Sequence, residues 1–184
     1  KCNSFYKNGI KVADGLSGLK AVQALSEGKY LALCNAKSKG NILAVNVGDR
    51  ALAIAPDYRM CVTGEENTHH LISTVIDKTG KMQYSEPFYY LQDLSNGTLT
   101  PSGAMAFDSN GNLYVATEMG VQVADHNGRV RAILSLPAGR VHSLAFSGNY
   151  LFVRCGERLF VRQMKAEGHI PANGKVTYKS QGQG

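Results

Sequence analysis

Residues 101–137 read PSGAMAFDSNGNLYVATEMGVQVADHNGRVRAILSLP, and this stretch decides the fold. Four apolar runs, Ala104–Phe107, Leu113–Ala116, Val121–Ala124 and Val130–Leu136, lie between the breaks Asn110-Gly111, Met119-Gly120 and Asn127-Gly128. Asn and Gly tolerate the positive φ that tight hairpin turns require. The runs are β-branched, aromatic or alternating, as suits pleated strands. Four strands joined by three tight turns predict an antiparallel meander of the size of one β-propeller blade.

Working outward, strands are predicted over Gly9–Asp14, Leu19–Leu25, Tyr30–Cys34, Asn41–Val47, Ala51–Ile54, Met60–Thr63, His70–Asp77 and Phe88–Leu91. After the meander come His142–Phe146, Tyr150–Arg154 and Arg158–Gln163, while residues 1–8 read as irregular. Helical periodicity is nearly absent. Second strands anchored on Leu31, Met60, Leu113 and Leu151 are separated by 29, 53 and 38 residues, 40 on average, as four-stranded blades require. The expectation is an all-β propeller of about four blades, either a compact ring or part of a six-bladed one. It occupies residues 1–168, with a polar tail over 169–184. The first and last units each lack a clear fourth strand. Gly9–Asp14 is positioned to complete the last one and so to remove an open edge.

The stretch Gly103–Thr117, followed by Gly120-Val121-Gln122-Val123, resembles a blade of the gluconolactonase/regucalcin-like β-propellers. Ser85–Asp93, Gly139-Arg140 and Ala55-Pro56-Asp57 fit the same pattern, and the similarity runs from about Arg50 to Gly168. The resemblance implies a divalent metal in a central channel and lactone hydrolysis. There an ion such as Ca²⁺ or Zn²⁺ would polarise the carbonyl while a carboxylate activates water. Carried over residue by residue, the family's metal-binding Asn falls on Arg50, and its Asp falls on Gly103, beside Ser102. The matching positions of the other units are Lys20 and His142. None is a carboxylate, so the implied mouth is cationic.

The expected function is therefore that of a diverged, gluconolactonase-like propeller with a degenerate metal site and no cofactor. It binds a ligand or partner through one face of the ring, where Lys20, Arg50, Ser102 and His142 either line a pocket for an anionic small molecule such as a sugar acid or stand as solvated charges in a degenerate channel. Two alternatives stand beside it. One is a working metal-dependent lactonase, with Asp49 or Ser102 brought in by a small slip of alignment. The other is a structural propeller module of a larger secreted protein.

Other clusters carry less. Glu65-Glu66-Asn67-Thr68-His69-His70 could hold a transition metal, but alternation in an extended segment sends His69 and His70 to opposite faces. Asp108-Ser109-Asn110-Gly111-Asn112 resembles the start of a Ca²⁺ loop, yet it lacks the later Gly and Glu and reads as a hairpin turn. Asn96-Gly97-Thr98 matches a glycosylation sequon in a turn-rich stretch.

The net charge of +6 is dispersed and only 18% of residues are charged, which argues against a nucleic-acid partner. No apolar run reaches the length of a membrane span. The four cysteines have no paired spacing, and Cys34, Cys61 and Cys155 read as small strand hydrophobes that stay thiols. The chain opens Lys1-Cys2-Asn3-Ser4 without Met, which fits a removed leader, a lipid-anchored Cys2 or a chain cut at that point. The expectation drawn is an exported bacterial protein, periplasmic or at the cell surface.

Overall fold

The structure is a computed structural model that describes residues 5–7, 10–15, 21–26, 29–33, 42–45, 51–64, 69–77, 81–93, 104–137 and 140–169. Among these residues every regular element is a strand, and no helix is long and apolar enough to cross a membrane. The strands form five sheets. β1 (Phe5–Lys7) and β2 (Ile10–Ala13) make an antiparallel pair. β3 (Ala21–Ser26), β4 (Lys29–Leu33) and β5 (Ile42–Val45) make a three-stranded sheet. Two four-stranded meanders follow. The first is β6 (Ala51–Ile54), β7 (Met60–Gly64), β8 (His70–Ile76) and β9 (Met82–Tyr90). The second is β10 (Met105–Phe107), β11 (Leu113–Thr117), β12 (Gly120–Ala124) and β13 (Val130–Leu134). The last sheet has three strands, β14 (Ser143–Ser147), β15 (Tyr150–Cys155) and β16 (Arg158–Gln163). The first strands of successive sheets, β3, β6, β10 and β14, lie side by side in that order. This is the radial stacking of propeller blades.

Stacking explains why β11 is buried throughout. Leu113 and Val115 join Met105, Phe107 and Ala124 in a core shared with Val62, Leu71 and Tyr89 of the preceding meander. Tyr114 and Ala116, on the other face, join Val121 in a core shared with Leu151, Val153 and Cys155 of the following sheet. A strand buried on both faces cannot alternate with polar residues. Each such aliphatic side chain contributes about 1.5–3 kcal/mol by burial. The Tyr114 and Phe146 rings meet edge to face at 4.9 Å across the second core.

Polar groups fix the joints. Asp108, fully buried, closes the β10–β11 turn. Its carboxylate accepts from the Asn110 and Asn112 amides at 3.0 and 2.9 Å, from Asn112 Nδ2 at 2.8 Å and from the Tyr114 hydroxyl at 3.3 Å. Burial, and then the Asp108 charge, push Tyr114 up to about 12. Gln122, also fully buried, clamps the chain after β9: its Nε2 donates to the Gln92 carbonyl, and its Oε1 accepts from the Gln92 amide, both at 2.8 Å. After β16 the chain crosses back beneath β14 and β10. Gly168 donates to the Gly148 carbonyl and His169 to the Phe107 carbonyl, both at 2.8 Å. The His169 ring then stands edge-on to Tyr58 at 5.4 Å.

The anchors Leu31, Met60, Leu113 and Leu151 lie in β4, β7, β11 and β15, the second strands of their sheets. Cys61 and Cys155 are buried thiols, and burial pushes the Cys155 thiol up; Cys2 and Cys34 lie outside the described residues. Four expectations need correction. Phe5–Lys7 is a strand and not irregular chain. β2 pairs with β1 instead of completing the last sheet. β5 joins β4 in parallel, although a meander was expected. β9 begins at Met82, six residues before the Phe88 expected from hydrophobicity. The last follows from its place at the outer edge, where a strand tolerates polar residues and Pro87.

Candidate functional site

Sequence reasoning places the site at the end of the sheets where the first strands begin. The described starts there are Ala21 for β3, Ala51 for β6, Met105 preceded by Ala104 for β10, and Ser143 preceded by His142 for β14. His142 is exposed at that end. Its neighbours explain why. Val141 is buried and donates its amide to the Thr117 carbonyl at 3.1 Å, and the His142 amide donates to the Arg154 carbonyl at 2.8 Å. The main chain is pinned on both sides, so the imidazole is turned outward. Lys20, Arg50 and Ser102 lie outside the described residues. In sequence, Lys20 directly precedes β3, Arg50 directly precedes β6, and Ser102 stands three residues before β10.

Sequence reasoning missed Arg154. The β14–β15 register sets it opposite Ser143, whose Oγ accepts from Nε at 3.4 Å, while Nη1 donates to the Gly156 carbonyl at 3.0 Å. Only the hairpin register, never sequence proximity, could have brought position 154 beside position 142. At the same end Arg140 Nη1 stands 3.6 Å from Glu118 Oε1, both side chains about half exposed. Such an exposed pair contributes little.

The described starts supply one imidazole, one hydroxyl and no carboxylate. A hard ion such as Ca²⁺ takes six to eight oxygen ligands, more than these described starts hold by themselves. Among the described residues no group of three or more His, Cys, Asp or Glu could hold a metal. The two histidines that follow β7 part company. His69 Nδ1 stands 3.5 Å from Asp93 Oδ2, and the His70 ring lies tilted against Tyr90 at 6.0 Å. Glu65–Thr68 lie outside the described residues. Asp108–Asn112 is a hairpin turn, with its carboxylate occupied by the donors of its own turn and by Tyr114.

No family model matches the chain, and no curated protein matches it. Solved structures do. A gluconolactonase from Xanthomonas campestris superposes with a TM-score of 0.54 at 18% identity, over 66% of this chain and 38% of that one. Regucalcin from Agrobacterium tumefaciens, a calcium-binding protein, gives a TM-score of 0.56 at 18% identity, over 82% of this chain and 54% of that one. A luciferin-regenerating enzyme gives 0.56 at 18%, over 80% and 52%. The chain thus spans between 38% and 54% of the length of these three structures. Identity this low speaks for the fold alone. The stacked meanders and these superpositions agree that the chain has the fold of the gluconolactonase/regucalcin-like β-propellers.

Proposed function

We propose that this chain is a diverged gluconolactonase-like propeller that binds an anionic small molecule, such as a sugar acid, without metal-dependent hydrolysis. One observation supports this reading above the others. β3, β6 and β14 belong to one row of adjacent first strands, and the residues directly ahead of them in sequence are Lys20, Arg50 and His142. Fixed cations and a titratable imidazole at the ends of adjacent strands favour a carboxylate over a divalent cation. Ser102, three residues ahead of β10, adds a hydroxyl donor.

Calorimetric titration of gluconate and glucuronate tests the reading. The unmodified chain should release measurable heat, and its affinity should fall with added salt as the Coulomb attraction is screened. Arg50→Ala should weaken binding by about 1.5–3 kcal/mol, the range of a charge-assisted hydrogen bond. No heat with either protein, or equal affinity for both, would overturn it. A second reading, a metal-dependent lactonase, is favoured by the superposition on a gluconolactonase. It requires lactone turnover that chelation abolishes and added Ca²⁺ or Zn²⁺ restores.

A further inference from the structure

Residues 164–169 run past the turns that follow the first strands of three successive sheets. The Met164 amide donates to the Asn149 carbonyl at 2.7 Å and the Gly168 amide to the Gly148 carbonyl at 2.8 Å, both in the β14–β15 turn. The Ser109 amide of the β10–β11 turn donates to the Glu167 carbonyl, and the His169 amide to the Phe107 carbonyl, both at 2.8 Å. A methyl group at Gly168 would collide with the Phe146 side chain, so the segment lies tight against β14. Main-chain bonds thus tie it to the last two sheets. Its attachment to the first meander is of another kind. There the His169 ring meets the ring of Tyr58 edge to face at 5.4 Å, and Tyr58 is itself buried in the β6–β7 turn at φ +58°. His169 Nε2 is buried without a hydrogen-bond partner. A neutral imidazole leaves one polar atom unsatisfied there, whereas a protonated one would bury a charge, which costs far more.

We propose that residues 164–169 form an acid-released strap, with His169 as the latch that holds it to the first meander while the ring is neutral. The charged and titratable groups around the latch set the balance. From the β6–β7 turn Asp57 and Tyr58 face it, and the Asp57 charge favours protonation while burial opposes it more strongly. Asp57 Oδ1 already accepts from the Arg59 amide at 3.0 Å, and Arg59 is exposed. In the β10–β11 turn the Asp108 carboxylate is engaged by the donors of its own turn and by Tyr114. Gly148 and Asn149 of the β14–β15 turn bring no titratable side chain, and Lys165 and Glu167 of the strap are exposed. A released imidazole takes up a proton below about pH 6.5, which the packed one resists, so acid shifts the equilibrium towards the released strap. Release begins at His169, the last link, and leaves the Met164 bond to Asn149 in place.

Amide hydrogen exchange followed by NMR at pH 7.5 and pH 5 tests this, with each rate divided by that of an unstructured chain at the same pH. Protection of the His169, Gly168 and Ser109 amides should fall on acidification. The fall should reach at most about 30-fold, the ratio of charged to neutral imidazole at pH 5 for an unperturbed His. The Met164 amide, and the Ala116 amide that donates to the Ala104 carbonyl, should keep their protection. His169→Phe keeps a ring against Tyr58 without a titrating group, and its strap amides should be equally protected at both pH values. Unchanged protection of the strap in the unmodified chain would overturn the proposal. So would a fall shared equally by Ala116, or the same fall in His169→Phe. Should that variant misfold, NMR titration of the His169 ring in the unmodified chain decides. Protonation below the ordinary value, in step with the loss of protection, supports the latch, and protonation at or above about pH 6.5 overturns it.

Discussion

Gly128 and Gly111 both hold a positive φ, +78° and +84°, in the β12–β13 and β10–β11 turns. Their surroundings differ. A methyl group at Gly111 meets nothing within 4 Å, whereas at Gly128 it would collide with the backbone carbonyl of Phe88. Phe88 lies in β9 of the neighbouring meander, and the Gly128 carbonyl accepts from the Tyr90 amide at 3.3 Å. The two sheets therefore touch backbone to backbone at this turn. Gly111→Ala should cost only the left-handed penalty of about 1–2 kcal/mol, offset by about 0.4–1 kcal/mol from a stiffer unfolded chain. The net is about 1 kcal/mol. Gly128→Ala carries the same terms and must also displace main chain, which typically costs about 1–3 kcal/mol more. Urea unfolding followed by far-UV circular dichroism measures the difference. With a slope of about 2 kcal/mol/M, the Gly128→Ala midpoint should fall about 0.5–1.5 M below that of Gly111→Ala. Coincident midpoints, or a larger loss at Gly111, would refute the claim that the sheets are docked through this glycine.

Three further outcomes follow from the polar joints. Gln122→Leu leaves the Gln92 amide and carbonyl without their side-chain partner and should cost about 2–4 kcal/mol in the same urea assay; a loss under 1 kcal/mol would mean that water replaces the clamp. Burial lowers the pKa of His169, against the opposing Asp57 charge, and its buried Nε2 has no hydrogen-bond partner. The folded state therefore binds fewer protons than the unfolded chain just below about pH 6.5, so this contribution is present above that pH and is lost on acidification. Melting temperatures at pH 7.5 and 5 should differ less for His169→Gln than for the unmodified chain, and equal differences would discard the assignment. Tyr89 and Tyr114 are pushed up to about 12, chiefly by burial. The unfolded chain loses these protons near pH 10, so stability drains away as pH rises from 10 to 12, and Tyr89 and Tyr114 should ionise late in ultraviolet titration. Tyr89 and Tyr114 ionising near pH 10 with the fold intact would contradict that.

What could be read from sequence was what short loops determine. Asn110-Gly111 and Asn127-Gly128 fix their hairpins because the glycine takes the positive φ locally, and the register of β10–β13 follows from turn geometry. Long connections gave no such purchase. β5 pairs in parallel with β4, and a parallel pair needs a crossover connection instead of the tight hairpin turn that fixes an antiparallel register. Tyr84 adopts φ +52° in β9, in a strand whose pairing with β8 shifts register twice, and no alternation pattern survives that. Gln122 offered one faint signal, a lone amide within the apolar run Val121–Ala124.

The site was less legible than the fold for a physical reason. Stacking specifies side chains on the faces of the sheets and leaves the residues ahead of each first strand unspecified. Val141 must be apolar because it is buried, and Ser143 must be extended because it pairs with Arg154. His142, between them, contributes its amide to the structure and points its ring into solvent. Any residue type could supply that amide except proline. Arg50 and Lys20 occupy the equivalent places in sequence ahead of β6 and β3. A propeller can therefore exchange metal-chelating carboxylates for cations at these places without disturbing its cores. Apolar patterning, which reveals the blades so clearly, is for that reason silent on the residues ahead of each first strand.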